Sequence, residues 1–144
     1  MNNANAMKQY EKVIQALNQQ KKVEQDAIAR INAYINKKKN FILKITQYRK
    51  DYDSVNGLRL SHQIPALTIN LNHFLVKMQS SIHAEEKAIA QAEMDRACVE
   101  KRLVKVEQKI KAMDVLLKKK QHHQAKLAEN RESDAMDELA STYR

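Results

Sequence analysis

The sequence has very few of the residues that interrupt helices or shape turns. Its 144 residues include one glycine, one proline, two phenylalanines and no tryptophan. Sandwiches, barrels and α/β folds need turn-forming residues at each of their many connections, so this composition excludes them. The chain is instead rich in alanine, lysine, glutamine, glutamate and leucine, which favour helices. The composition therefore predicts an all-α protein with long helices and few connections.

Cysteine and long apolar runs are also scarce. Cys98 is the only cysteine, which excludes an internal disulfide and indicates a cytoplasmic protein. The N-terminal sequence MNNANAMKQYEK lacks the apolar segment of a signal peptide. No run approaches the roughly 18 apolar residues that a membrane span requires. With 144 residues, a single cytoplasmic domain is expected.

The glycine and the proline lie close together and predict one break in an otherwise helical chain. Asn56-Gly57 is a typical helix stop, and Pro65 suits the first turn of a second helix. One short connection makes the two helices antiparallel neighbours. The predicted boundaries are about 8–54 for helix 1, about 55–65 for the connection and about 66–140 for helix 2.

Apolar residues recur at alternating steps of four and three along both predicted helices. We call each such line a seam; nine of thirteen seam positions are apolar in helix 1 and thirteen of seventeen in helix 2. Seams of this length predict an antiparallel two-helix coiled-coil hairpin in which the second helix is longer. The seam of helix 1 is Tyr10, Ile14, Leu17, Lys21, Glu24, Ile28, Ile31, Ile35, Lys38, Ile42, Ile45, Arg49 and Tyr52. The seam of helix 2 is Leu71, Leu75, Met78, Ile82, Glu85, Ile89, Ala92, Arg96, Val99, Leu103, Val106, Ile110, Met113, Leu117, Lys120, Gln124 and Leu127.

Charged residues within the seams predict how the helices align. In an antiparallel pair, the numbers of facing residues add up to a constant, which is 120 for Glu24 with Arg96 and 123 for Lys38 with Glu85. Both pairs join opposite charges, so we expect them to face each other across the seam. The alternative is that each long side chain extends separately toward solvent.

This alignment leaves the end of helix 2 without an intramolecular partner. Tyr10 would face about residue 111, so helix 2 would continue for about 25 residues, or roughly 40 Å. A solitary helix is marginal in water, so this overhang either frays or is held by another protein. We interpret it as a binding segment. Its large apolar residues are Leu116, Leu117, Leu127, Met136 and Leu139.

Charge is distributed unevenly along the second helix. The whole chain carries a net charge of +9, and residues 100–126 contain nine basic and three acidic side chains. Residues 127–144 contain five acidic and two basic side chains, so the sign of the charge reverses toward the C-terminus.

Aromatic side chains gather on one flank of helix 1. Tyr34, Phe41 and Tyr48 are seven residues apart and lie beside the seam, whereas Tyr52 lies on it. Helix 2 would supply Phe74 near the same end. Two interpretations remain open: the rings cover the edge of the seam, or they form an exposed surface for a partner protein.

These features together resemble the FliJ proteins, the soluble coiled-coil component of the bacterial flagellar type III export apparatus. The length, the two-helix pattern, the Tyr48-x-x-x-Tyr52 pair before the connection, and the ending LAENR at 127–131 with MDE at 136–138 carry the resemblance. It implies a hairpin similar to the central stalk of rotary ATPases. It also implies binding to the export ATPase ring, to the cytoplasmic linker of the export gate and to export chaperones. The protein would associate peripherally with the inner face of the cell membrane through these partners.

The resemblance also implies two sets of contact residues. Of the gate positions, Tyr48, Tyr52 and Phe74 match the family, Ile45 is a conservative match, and the others differ in residue type. The implied gate contacts are Phe41, Ile45, Tyr48, Tyr52, Phe74, Met78, Ser81 and Glu85. The implied ATPase-ring contacts are Tyr10, Ile14, Leu117, Leu127, Glu129, Asn130, Arg131 and Met136.

Nothing in the sequence indicates catalysis or a cofactor. A two-helix rod lacks a concave site, and no glycine-rich phosphate loop or nucleophile elbow is present. The five histidines show no metal-ligand spacing, so neither a metal nor a small-molecule ligand is expected. They are His62, His73, His83, His122 and His123.

Two other functions fit parts of the sequence. The lysine triplets 37–39 and 118–120 could neutralise phosphates, but they wrap around the helix and form no stripe, so nucleic acid is not an expected partner. The chain could also be a purely structural coiled coil or the stalk of a virulence type III secretion system. The C-terminal motif favours the flagellar system.

Overall fold

The protein folds into two long helices. The computed structural model describes the backbone of residues 3–60 and 65–143 and the side chains of residues 4–53 and 70–143. Helix α1 spans Asn3–Leu60 and helix α2 spans Pro65–Thr142. No strand occurs in the described part of the chain, and the contacts between α1 and α2 fit a hairpin with a longer second helix. This confirms the predicted all-α hairpin.

The first helix is longer than the sequence indicated. It begins five residues before the predicted start and passes through Asn56-Gly57 to Leu60, so the helix stop predicted at this dipeptide was wrong. Glycine can adopt helical dihedral angles, at a cost of about 1 kcal/mol relative to alanine, which an otherwise favourable helix tolerates. Pro65 opens α2, as expected for a residue that lacks a backbone N–H. Residues 61–64 of the predicted connection lie outside the described residues.

The core is a single line of side chains. All thirteen seam positions of α1 are buried or half-buried, and so are the first fifteen of the seventeen seam positions of α2. The last two, Gln124 and Leu127, are exposed, so packing along α2 stops after Lys120. The five buried apolar residues of the described side chains are Ile35, Ile82, Ala92, Val99 and Val106.

Contacts divide the chain into two compact units. Unit 1 consists of Met1–Gln25 with Lys101–Arg144, and unit 2 consists of Asp26–Glu100. Each unit contains a stretch of both helices, so each is held by its own part of the seam. The expectation of one coiled-coil domain stays a prediction.

In unit 1, the seam residue Glu24 pairs with Arg102 and not with Arg96. The Glu24 carboxylate lies 3.3 Å from Arg102 Nε, and its side chain is only 12% exposed. Arg102 precedes the seam residue Leu103, and its long side chain reaches the carboxylate from the edge of the seam. The expected partner was therefore wrong by six residues on α2. Burial of the Glu24 carboxylate would be unfavourable without this guanidinium.

In unit 2, the predicted pair of Lys38 and Glu85 is confirmed. Lys38 Nζ lies 2.8 Å from Glu85 Oε2 across the two helices. Arg96 donates instead to Asn32 Oδ1 at 2.8 Å and lies 3.8 Å from Glu100. Arg49 donates to Gln79. These charged seam residues are thus paired across or along the helices, because each would otherwise lack a partner where it is partly buried.

Two valines separated by one residue on α2 test whether the seam stabilises the hairpin. Val106 is 3% exposed and Val104 is 50% exposed. Val106→Ala should lower the free energy of unfolding by about 1–2 kcal/mol, because it removes packed methyl groups. Val104→Ala should leave it nearly unchanged, because the Val104 side chain is half exposed. Both substitutions alter helix propensity equally, so the difference between them measures the packing at Val106. Urea unfolding followed by circular dichroism measures both values, and equal destabilisation would contradict the seam.

Candidate functional site

Three aromatic rings from both helices form a cluster in unit 2. We call Tyr48, Tyr52 and Phe74 the aromatic cluster. The centroids of Tyr48 and Tyr52 are 6.2 Å apart with nearly parallel rings. Phe74 of α2 contacts both, at 6.5 Å from Tyr48 and 5.8 Å from Tyr52. Such aromatic pairs contribute about 0.5–1.5 kcal/mol beyond their burial.

The spacing of the two tyrosines explains their different environments. Tyr52 lies on the seam and is half-buried against α2, whereas Tyr48 lies one turn earlier, beside the seam, and is 54% exposed. Residues four apart share a helix face, so the two rings can touch while only one packs into the core. Phe74 is 41% exposed. The cluster therefore exposes aromatic surface to solvent while its three rings pack against one another.

The aromatic flank continues along α1 beside a charged pair. Tyr34 and Phe41 are both exposed and line a groove with Lys38 and Glu85. The Lys38 ammonium lies 5.3 Å from the centroid of the Tyr34 ring, a cation–π geometry. Glu85 Oε2 is shielded from solvent and has Lys38 as its ion partner. Lys38 thus contacts both the seam residue Glu85 and the flank residue Tyr34.

This arrangement favours the charged form of Lys38. Its pKa is raised above the ordinary value of 10.5, chiefly by the hydrogen-bonded contact with Glu85. Desolvation acts in the opposite direction, and attraction to Glu85 and Tyr34 raises the pKa further. The charge on Lys38 therefore stabilises the folded helix pair.

The residues implied as gate contacts differ in accessibility. Phe41, Tyr48, Phe74 and Ser81 are exposed and available to another protein. Ile45, Tyr52, Met78 and Glu85 are half-buried seam positions. Tyr52 contacts Phe74 and Glu85 contacts Lys38 on the opposite helix. The structure brings three of the four aromatic rings of this set together, and its other members extend from them along the two helices.

The second candidate surface is the C-terminal part of α2 in unit 1. We call residues 121–143 the overhang segment. Every one of its side chains is exposed, including Met136 at 73% and Tyr143 at 88%. Leu117 is half-buried and therefore belongs to the packed seam, contrary to its expected place in the overhang. Leu116, at the edge of the packed region, is 43% exposed.

The residues implied as ATPase contacts fall into two environments of unit 1. Tyr10, Ile14 and Leu117 are half-buried in the seam. Leu127, Glu129, Asn130, Arg131 and Met136 all lie on the overhang segment and are exposed.

The sequence interpretation missed one feature of the overhang segment. Ala125, Ala128, Ala135 and Leu139 are separated by three, seven and four residues, so they lie on one helix face that continues the line of Leu117. This signal was present in the spacing, but small alanines stand out less than large apolar residues.

Two further findings concern metal ions and membranes. Among the described side chains, no group of three or more histidine, cysteine or acidic residues could hold a metal ion. No helix in residues 3–60 or 65–143 combines the length and the apolar character needed to cross a membrane.

The geometry is that of a coiled-coil protein that offers surfaces to other proteins. The chain matches the family model described as "Flagellar FliJ protein" over residues 7–143. Because the match covers nearly the whole chain, the protein belongs to the FliJ family, whose members are non-catalytic components of the flagellar export apparatus. No curated protein and no solved structure matches the chain.

The Lys38–Glu85 pair predicts a specific pH dependence of stability. Because the folded-state pKa of Lys38 exceeds the unfolded value, the contribution of its charge is complete below pH 10.5 and is lost as the pH rises through the folded-state pKa. The Lys38→Arg variant keeps its charge as the pH rises, so its free energy of unfolding should not show this decrease.

Urea unfolding of both proteins between about pH 9 and pH 12 measures the difference. Parallel loss of stability in the two proteins would show that Lys38 does not contribute in this way.

Proposed function

We propose that this FliJ-family protein joins two parts of the flagellar type III export machinery. The overhang segment and the neighbouring N-terminal part of α1 bind the export ATPase ring. The aromatic cluster and its flank bind the cytoplasmic linker of the export gate, and export chaperones dock on the same protein. The protein performs no chemistry and associates peripherally with the cell membrane through these partners. The family match supports the flagellar system over a virulence secretion system.

The observation that carries this proposal is that every side chain of the overhang segment is exposed. Residues 121–143 include Leu127, Met136 and Leu139, none of which packs within the described part of the chain. A lone helix of this length is marginal in water. Burial of each large apolar side chain in a partner would contribute about 1.5–3 kcal/mol, which is enough to order the segment and stabilise a complex.

The aromatic cluster supports a second, separate contact. Aromatic residues often dominate the energy of protein interfaces. The rings of Tyr48 and Phe74 are already held by Tyr52 and by each other, so binding would restrict little additional motion. The contact is then favourable although only a small area is exposed.

The mechanism is assembly and coupling. The overhang segment belongs to unit 1 and the aromatic cluster to unit 2, so the two contacts use different parts of the chain. A ring state that binds the overhang more tightly would be favoured when the protein is present, and the gate contact would bring that state to the export machinery. In this mechanism the protein couples the ATPase ring to the export gate only through its binding to both.

Binding assays with variants of the full chain test the two contacts separately. Deletion of residues 121–144 removes the overhang and spares the packed seam, which ends at Lys120. It should abolish binding to the ATPase ring and leave binding to the gate linker unchanged. Tyr48→Ala with Phe74→Ala should weaken binding to the gate linker by about tenfold or more and leave ring binding unchanged.

The matched control is Leu43→Ala with Val76→Ala. These residues are similarly exposed, lie on the same two helices and are not part of the aromatic cluster. Both affinities of this control should equal those of the wild type. Equal loss of both partners in the deletion and in the aromatic variant would refute the model of two separate contacts.

A further inference from the structure

The C-terminal part of α2 carries two neighbouring blocks of opposite charge. Residues 118–126 contain four lysines and two histidines and no acidic residue; we call them the basic block. Residues 129–138 contain five acidic residues against Arg131; we call them the acidic block. Both blocks belong to one continuous helix, α2, and lie in unit 1.

We propose that the overhang segments of two copies of this protein pair with each other in antiparallel orientation. The two blocks are centred about six residues on either side of Ala128. A two-fold axis near Ala128 therefore places the basic block of each copy beside the acidic block of the other. Parallel pairing would instead bring like charges together, which is unfavourable.

The apolar face of the overhang fits the same arrangement. Ala128 lies near the axis, and Ala125, Ala135 and Leu139 occupy the same helix face. At this alignment Leu139 of one copy reaches the level of Leu117 of the other, and Lys120 approaches Glu138 along one edge of the face. Small residues in the centre let the two helices approach closely. The charged blocks then lie on the flanks, where they select the partner's orientation.

The size of the contact predicts a weak and salt-sensitive dimer. The paired region spans about three heptads, close to the minimum for a coiled coil. Each exposed ion pair contributes little, and salt screens it strongly. The helices are continuous with a folded unit, which reduces the entropy lost on pairing. A second copy with complementary charges can therefore cover the overhang segment. Because the contact is two-fold symmetric, the assembly stops at a dimer.

Sedimentation of the full chain over a range of concentrations tests the proposal directly. We expect a monomer–dimer equilibrium whose dissociation constant rises about tenfold or more between low salt and about 0.5 M salt. A chain that remains monomeric at every concentration and salt level would overturn the proposal and leave the segment to a different partner.

Charge-reversal variants provide the decisive comparison. Variant A carries Lys118→Glu, Lys119→Glu and Lys126→Glu, and variant B carries Asp134→Lys, Asp137→Lys and Glu138→Lys. Each alone should fail to dimerise, because its two blocks then carry net charges of the same sign. An equimolar mixture of A and B should form a heterodimer. Absence of a complex in the mixture would overturn the proposal.

A matched variant controls for net charge. Lys37→Glu, Lys39→Glu and Lys44→Glu reverse three exposed lysines outside the overhang and should leave the dimerisation constant unchanged. A loss as large as in variant A would show that net charge alone governs association and would refute the proposed pairing. Circular dichroism verifies that all variants keep the helix content of the wild type.

Disulfide cross-linking tests the orientation. In a Cys98→Ser background, Ala128→Cys lies at the proposed axis and should cross-link readily. Ala135→Cys should not, because the equivalent position of an antiparallel partner lies about 14 residues away along the axis, or roughly 21 Å, beyond the reach of a disulfide. Efficient cross-linking at both positions would indicate a parallel dimer and overturn the antiparallel arrangement.

A regulatory consequence follows, and this consequence rests on the proposed function. The dimer covers the segment assigned to the ATPase ring, so ring binding and dimerisation would exclude each other. The sedimentation and cross-linking experiments contain no ATPase, so their outcome is independent of whether the ring contact exists.

Discussion

The structure depends on one line of apolar contacts between two helices. A core one side chain wide can hold two helices together, but it leaves most of each helix surface in water. Within the described residues only five apolar side chains are buried. Most of the described side chains therefore lie on the surface, where they are accessible to other molecules. This constraint agrees with membership of a family of non-catalytic export components.

Charged residues within the apolar line help to align the helices. Lys38 and Glu85 meet across unit 2, and Glu24 meets Arg102 in unit 1. A shift in alignment would leave such groups half-buried without partners, which is more unfavourable than the pair is favourable. The same ions therefore contribute more to the choice of one alignment than to overall stability. Lys38 also contacts Tyr34, so the alignment of the seam is linked to the aromatic flank.

The two candidate surfaces lie where the seam becomes aromatic and where its packing ends. The aromatic cluster forms where Tyr52 fills the seam and Tyr48 and Phe74 pack around it at the exposed edge. The overhang segment begins where α1 no longer covers α2, after Lys120. One surface is aromatic and held by its own packing, whereas the other is a charged, unpaired helix. This difference in chemistry underlies the proposals that they bind different partners and that the second surface also binds another copy of the protein.

The sequence by itself determined the two helices, the seam positions and the helix face of each aromatic residue, because helical periodicity depends on residues three and four apart. Only the tertiary structure decided that α1 continues through Gly57, that Arg102 instead of Arg96 meets Glu24, and that packing ends at Lys120. The last two outcomes depend on contacts between residues far apart in the chain. Alternative alignments of two such helices differ by only about 1 kcal/mol for each polar contact, and no local pattern of residues records which alignment is lowest in energy.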